Sequence, residues 1–143
     1  MKNTTKLLLG LSLMILSCTN AQAQLTQTRA EVITSFGFPT ATGTTEDGTP
    51  YIYYDKNITT VASGQYLQRK AMFFTTADDG NQICYMWKVL EPSTETNWNV
   101  NYYKSQYVEI GNMRYKDFEH NIIYDLDVKD GLCITLVWLD SAK

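Results

Sequence analysis

Two of the three Asp-Gly pairs in the sequence, Asp79-Gly80 and Asp130-Gly131, do most to limit what this chain can become. A tight turn between antiparallel strands needs backbone at positive φ, which Gly adopts freely and Asp tolerates better than most residues. The first pair joins Tyr66–Thr76, strongest at Met72-Phe73-Phe74, to Ile83–Leu90. The second joins Ile122–Val128 to Leu132–Leu139. Each reads as a hairpin. Tyr51-Ile52-Tyr53-Tyr54 and Met113–Phe118 add two more strands by aromatic and β-branched content, for a total of about six. The run Ile83–Leu90 is apolar apart from Lys88, a pattern expected of a central strand covered on both faces.

Helix signals precede each set of strands. Thr28-Arg29-Ala30-Glu31 spells a capping box, in which the threonine side chain accepts from the Glu31 amide and the glutamate reaches back. Val32, Ile33 and Phe36 follow at helical spacing, and Gly37 and Pro39 stop the helix, so the spacing predicts one over roughly 28–36. Trp98, Val100, Tyr103 and Tyr107 can line one face of a second, roughly 95–107, in a unit ended by Gly111. Residues 40–49, TATGTTEDGT, read as a turn-rich connection, and 57–64 carry no clear pattern.

Side by side, the halves run alike: helix, Gly-containing turn, strands, Asp-Gly turn, then a strand with Cys near its start. Phe74…Asp79-Gly80…Cys84…Val89-Leu90 matches Tyr124…Asp130-Gly131…Cys133…Trp138-Leu139. The expectation is a two-layer α+β fold, two short helices on a largely antiparallel sheet of about six strands. It is a degenerate tandem repeat over about 28–91 and 95–139. Trp87 and Trp138 hold similar places in it and are expected in the core.

The first 23 residues read as a signal peptide, leaving 24–143 as one domain. Lys2 and Lys6 begin it, Leu7–Leu16 is apolar except for Gly10 and Ser12, and Ala21-Gln22-Ala23 offers a peptidase its small residues. Ten residues of helix rise only about 15 Å, half a bilayer's hydrocarbon core of about 30 Å, and no other stretch approaches that length. The alternative is lipoprotein processing at Ile15-Leu16-Ser17-Cys18, which makes Cys18 a lipid anchor; Leu16 departs from the small or β-branched residue usual there. Either route is export, to the periplasm, the outer-membrane surface or the medium. Without Lys2 and Lys6 the 12 basic residues fall to 10 against 15 acidic, a net charge of −5. No basic patch suits nucleic acid, and no partner of that kind is expected. Cys84 and Cys133 then form an even pair in an oxidising compartment. They are bridged if a pseudo-twofold brings equivalent positions together; otherwise they are two buried free thiols. No Cys-x-x-Cys pair suggests redox chemistry.

The segment Thr28–Pro39 (TRAEVITSFGFP), a Gly-containing link, and the strand Pro50-Tyr-Ile-Tyr-Tyr54 together resemble a known opening. It is that of the small exported proteins related to the outer-membrane assembly lipoprotein SmpA/OmlA (BamE-like) and to the β-lactamase inhibitor protein. There a helix ends at a Leu-Gly-x-Pro-like corner and an antiparallel sheet follows; here Phe36 replaces the leucine, and the glycine before the helix is missing. The motif covers 28–54, and the duplication extends the likeness loosely over the rest. The resemblance implies a two-layer α+β fold that acts by binding other proteins. It transfers no functional residue.

No catalytic, cofactor or metal constellation emerges. His120 is the one histidine, in a turn, Phe118-Glu-His-Asn121. Asp125, Asp127 and Asp130-Gly131 miss the spacing of a calcium loop, the third acid falling one residue late. The aromatics Tyr51, Tyr53, Tyr54, Trp98, Tyr102 and Tyr103 remain, either as binding anchors, since rigid rings cost little entropy to order, or as plain cover for a small sheet. The sequence thus suggests a non-enzymatic, protein-binding domain of the bacterial envelope. Its surface would be the aromatic sheet or the 40–48 and 57–65 loops. The alternative is a carbohydrate- or small-ligand-binding module using exposed Tyr and Trp.

Overall fold

The computed structural model describes residues 24–141. The proposed processing sites, including Cys18, lie outside them. Helix α1 (Arg29–Phe36) precedes strands β1 (Ala41–Thr44), β2 (Pro50–Thr60), β3 (Gly64–Thr76) and β4 (Gln82–Pro92). A 3₁₀ turn (Ser93–Glu95) leads into α2 (Thr96–Gln106), followed by β5 (Val108–Gly111), β6 (Arg114–Asp117), β7 (Ile122–Lys129) and β8 (Leu132–Leu139). All eight strands form one antiparallel sheet in the order β1-β2-β3-β4-β8-β7-β6-β5. Each half is a helix followed by a four-strand meander, and the last strands of the two meanders adjoin.

This corrects the expected sheet of about six strands: the fold is mostly sheet, with eight. The two additional strands, β1 and β5, are four-residue edges. Both are too short for alternation to mark them as strands. β1 is Ala-Thr-Gly-Thr, and its Gly43 lies under the Tyr51 ring: a Cβ there would sit 2.7 Å from the Tyr51 hydroxyl oxygen. The missing side chain is what lets the ring lie over the edge. β5 is exposed along its whole length.

The local signals act through definite contacts. Thr28 caps α1 by accepting from the Glu31 amide at 3.2 Å, while the Glu31 carboxylate accepts from the Thr28 amide at 2.8 Å. Asp130 and Gly131 turn β7 into β8 with φ of 52° and 76°. β2 runs on through the unpatterned segment to Thr60, and with β3 forms a long hairpin projecting beside the start of α2.

One face of the sheet carries the core. Ile52, Met72, Trp87, Val137 and Tyr124 stand in register across five strands, all buried. Val32 and Ile33 of α1 and Val100 and Tyr103 of α2 pack on the same cluster. Burying an Ile or Met side chain in this way removes apolar surface from water, so truncating Ile52 to alanine should cost about 2–5 kcal/mol.

Among the described residues no helix is long and apolar enough to cross a membrane.

Candidate functional site

The opposite face of the sheet is covered by neither helix, and its side chains are unlike those of a solvated surface. Tyr51, Phe73, Met86, Trp138 and Ile123 form one row across β2, β3, β4, β8 and β7. With strands about 4.8 Å apart, the row spans roughly 19 Å. The next rows bring Leu136 beside Lys88, and Leu90 beside Ile134. All of these except Ile123 remain partly accessible.

Charges frame the apolar strip in pairs. Arg69 grips Asp55 through two hydrogen bonds of 2.8 Å and lies 4.1 Å from the Tyr53 ring centre. Arg114 bonds Asp125 at 2.6 Å and reaches toward Trp138, and Lys116 bonds Asp140 at 2.6 Å. The Asp55 carboxyl is held below its ordinary value, first by the Arg69 hydrogen bonds. An apolar centre with a paired, polar rim is the composition of a protein interface.

Trp138 therefore stands on this face, not in the core where its likeness to Trp87 suggested. The register pairs Trp87 with Val137, and one residue along a strand reverses the face. The central strand β4 likewise has one covered face, with Met86, Lys88 and Leu90 turned to the uncovered side.

The six aromatics singled out from sequence fall in three places. Tyr51 and Tyr53 belong to the open face. Tyr54 points to the other side, where its hydroxyl donates to the Gly37 carbonyl at 3.0 Å and its ring meets Phe36. Tyr103 packs between Tyr107, Tyr115 and Tyr124 against the core, and burial raises its pKa. Trp98 and Tyr102 are on the outer side of α2, stacked at 5.4 Å with planes 4° apart.

Trp98 also borders a cleft of about 550 Å³ between the tip of the β2–β3 hairpin and the start of α2. Ile58, Val61 and Ala62 make its apolar wall. Its polar side holds Glu91, from β4, and Glu95, from the 3₁₀ turn. Sequence reasoning missed both; they are 25–35 residues from the hairpin hydroxyls that meet them, and only the folded hairpin shows the pairing. Glu91 accepts from Tyr66 at 2.9 Å, Gln68 at 2.7 Å and Asn99 at 2.7 Å. Glu95 accepts through one oxygen from Thr60 and Ser63, each at 2.5 Å. Burial raises the pKa of Tyr66, and the neighbouring carboxylates raise it further.

The cysteines are free thiols, both buried. A bridge is ruled out by register: Cys133 stands opposite Glu91, seven residues from Cys84 along β4, or roughly 24 Å at strand rise. Antiparallel neighbours related by a pseudo-twofold meet only at the axis, here near Trp87 and Val137, and the cysteines flank it on opposite sides. Burial pushes the Cys84 thiol up to about 11.

His120 sits in the β6–β7 turn, its Nδ1 2.7 Å from Asp117. Among the described residues no three His, Cys, Asp or Glu side chains gather as a metal site would require.

In comparisons with protein-family models, curated proteins and solved structures, nothing matches the chain significantly.

Proposed function

We propose that this is an exported, non-catalytic domain of the bacterial envelope that binds a protein partner on the open face of its sheet. One observation carries the reading: β4 and β8 are apolar on both faces, yet the described residues cover only one. A row of Tyr51, Phe73, Met86 and Trp138 turned to water gives up the stabilisation that burial of such side chains supplies, about 25 cal/mol per Å². A partly exposed, contiguous apolar patch with a polar rim suits an interaction site. The resemblance of the first helix and strand to BamE-like and β-lactamase-inhibitor-like proteins supports the same class, since those act by binding proteins.

The test compares affinity capture from the native envelope by three forms of the mature protein. Wild type and Asn101→Glu, altered on the exposed side of α2, should retain one and the same partner. Trp138→Glu, whose side chain is on the open face, should lose it. Retention by Trp138→Glu, or equal loss by Asn101→Glu, contradicts the reading. So does a homodimer that Trp138→Glu dissolves, because the face would then be occupied by a second copy.

A further inference from the structure

A second site, independent of the open sheet face, lies in the cleft beside Trp98. Glu95 is 5% exposed and Glu91 is half-buried, yet no lysine or arginine among the described residues comes within ion-pair distance of either. Every described side-chain donor to them is neutral: the Tyr66, Thr60 and Ser63 hydroxyls and the Gln68 and Asn99 amides. Such donors orient a carboxylate without cancelling its charge. The second oxygen of Glu95 accepts no hydrogen bond from a described residue, and the residue borders the cleft.

Elsewhere the fold handles its acids differently. Asp55, Asp125, Asp140 and Asp117, the other described acids that are buried or half-buried, each have a basic partner within 3 Å. Glu31, Asp47 and Asp79 also meet only neutral donors, but on the exposed surface. Among the described acids drawn out of water, the two facing the cleft are the ones without a basic partner, where desolvation makes an unpaired charge most costly. At the mouth stands Trp98, 63% exposed and held flat by its stack on Tyr102. An indole face is the best aromatic surface for a cation. Ile58, Val61 and Ala62 complete an apolar wall for the rest of a ligand.

We infer that the cleft binds a small organic cation, a primary ammonium or guanidinium group carried on an apolar or aromatic body. The cationic head meets Glu95 and Glu91, and the body lies between Trp98 and the hairpin tip. About 550 Å³ accommodates a molecule of that kind and falls within the usual range of ligand pockets.

The experiment is titration of the mature protein with 2-phenylethylammonium, followed by the Trp98 indole NMR signal and by calorimetry. The comparison ligands are 2-phenylethanol, which keeps the body without the charge, and phenylacetate, which reverses it. The ammonium should bind and shift the Trp98 signal; the alcohol and the acid should bind about tenfold more weakly or not at all, as a charged hydrogen-bonded group demands. Glu95→Gln, which keeps the acceptor and removes the charge, should lower the ammonium affinity about tenfold. Should that variant fail to fold, Val61→Lys at the exposed hairpin tip supplies a competing ammonium and should weaken binding likewise. Equal binding of ammonium and alcohol overturns the proposal. So does full ammonium affinity in whichever of the two variants folds, or no binding of the ammonium at millimolar concentration.

Discussion

His120 shows how a single contact gives a residue a measurable signature. The Asp117 hydrogen bond at 2.7 Å raises the histidine above its ordinary value. Burial works against ionised Asp117, but the hydrogen bonds from His120 and from the Glu119 and His120 amides outweigh it and hold the carboxyl below its usual value. The raised histidine contributes stability fully below its unfolded pKa of about 6.5 and loses it as pH rises through the folded value. The depressed aspartate contributes above its unfolded value and loses that as pH falls through the folded one. The pair therefore stabilises the β6–β7 turn in the window between the two folded values. NMR titration of the His120 ring should give a midpoint above 6.5, and Asp117→Asn should bring it down; an unchanged midpoint in the variant would refute the pairing. The cysteines make a second prediction at this scale. Thiol reagent should modify neither Cys84 nor Cys133 in the folded protein and both after unfolding, without reductant in either case. Appearance of the thiols only after reduction would contradict the register that separates them.

Elements explain what could be read in advance and what could not. The capped helix α1 and the Asp130-Gly131 hairpin were legible because capping and positive φ are local properties, decided by residues three or fewer apart. Replacing Gly131, at φ 76°, by alanine should therefore cost about 1–2 kcal/mol in denaturant unfolding, the usual penalty for a side chain in left-handed backbone. No loss of stability would show that the turn relaxes to another type. β1 and β5 escaped the sequence because four residues are too few to carry a pattern of their own. Asp47-Gly48, with Gly48 at φ 85°, marks the turn into β2 but not the short strand before it. Gly43 pairs with Tyr51, and nothing within Ala-Thr-Gly-Thr announces that. The face of Trp138 escaped for a related reason. Similar positions in two repeats do not fix which residue faces inward, because the register between β4 and β8 decides it. Of the two surfaces, the open face was half visible in Tyr51 and Tyr53, whereas the cleft needs Thr60, Glu91 and Glu95 to be brought together by the fold.

For the whole molecule, the fold places both helices on one side of a single twisted sheet and leaves the other side lined with apolar rows between ion pairs. Among the described residues such an arrangement leaves the sheet's apolar capacity half used, and the protein partner proposed above is what would complete the layering. The most direct measurement is site-specific photo-crosslinking in the native envelope, with a photoreactive residue at Leu136 on the open face and, separately, at Asn101 on α2. Capture of one defined protein from position 136 and none from 101 is the predicted result. An empty position 136, or the same protein from both positions, would contradict it.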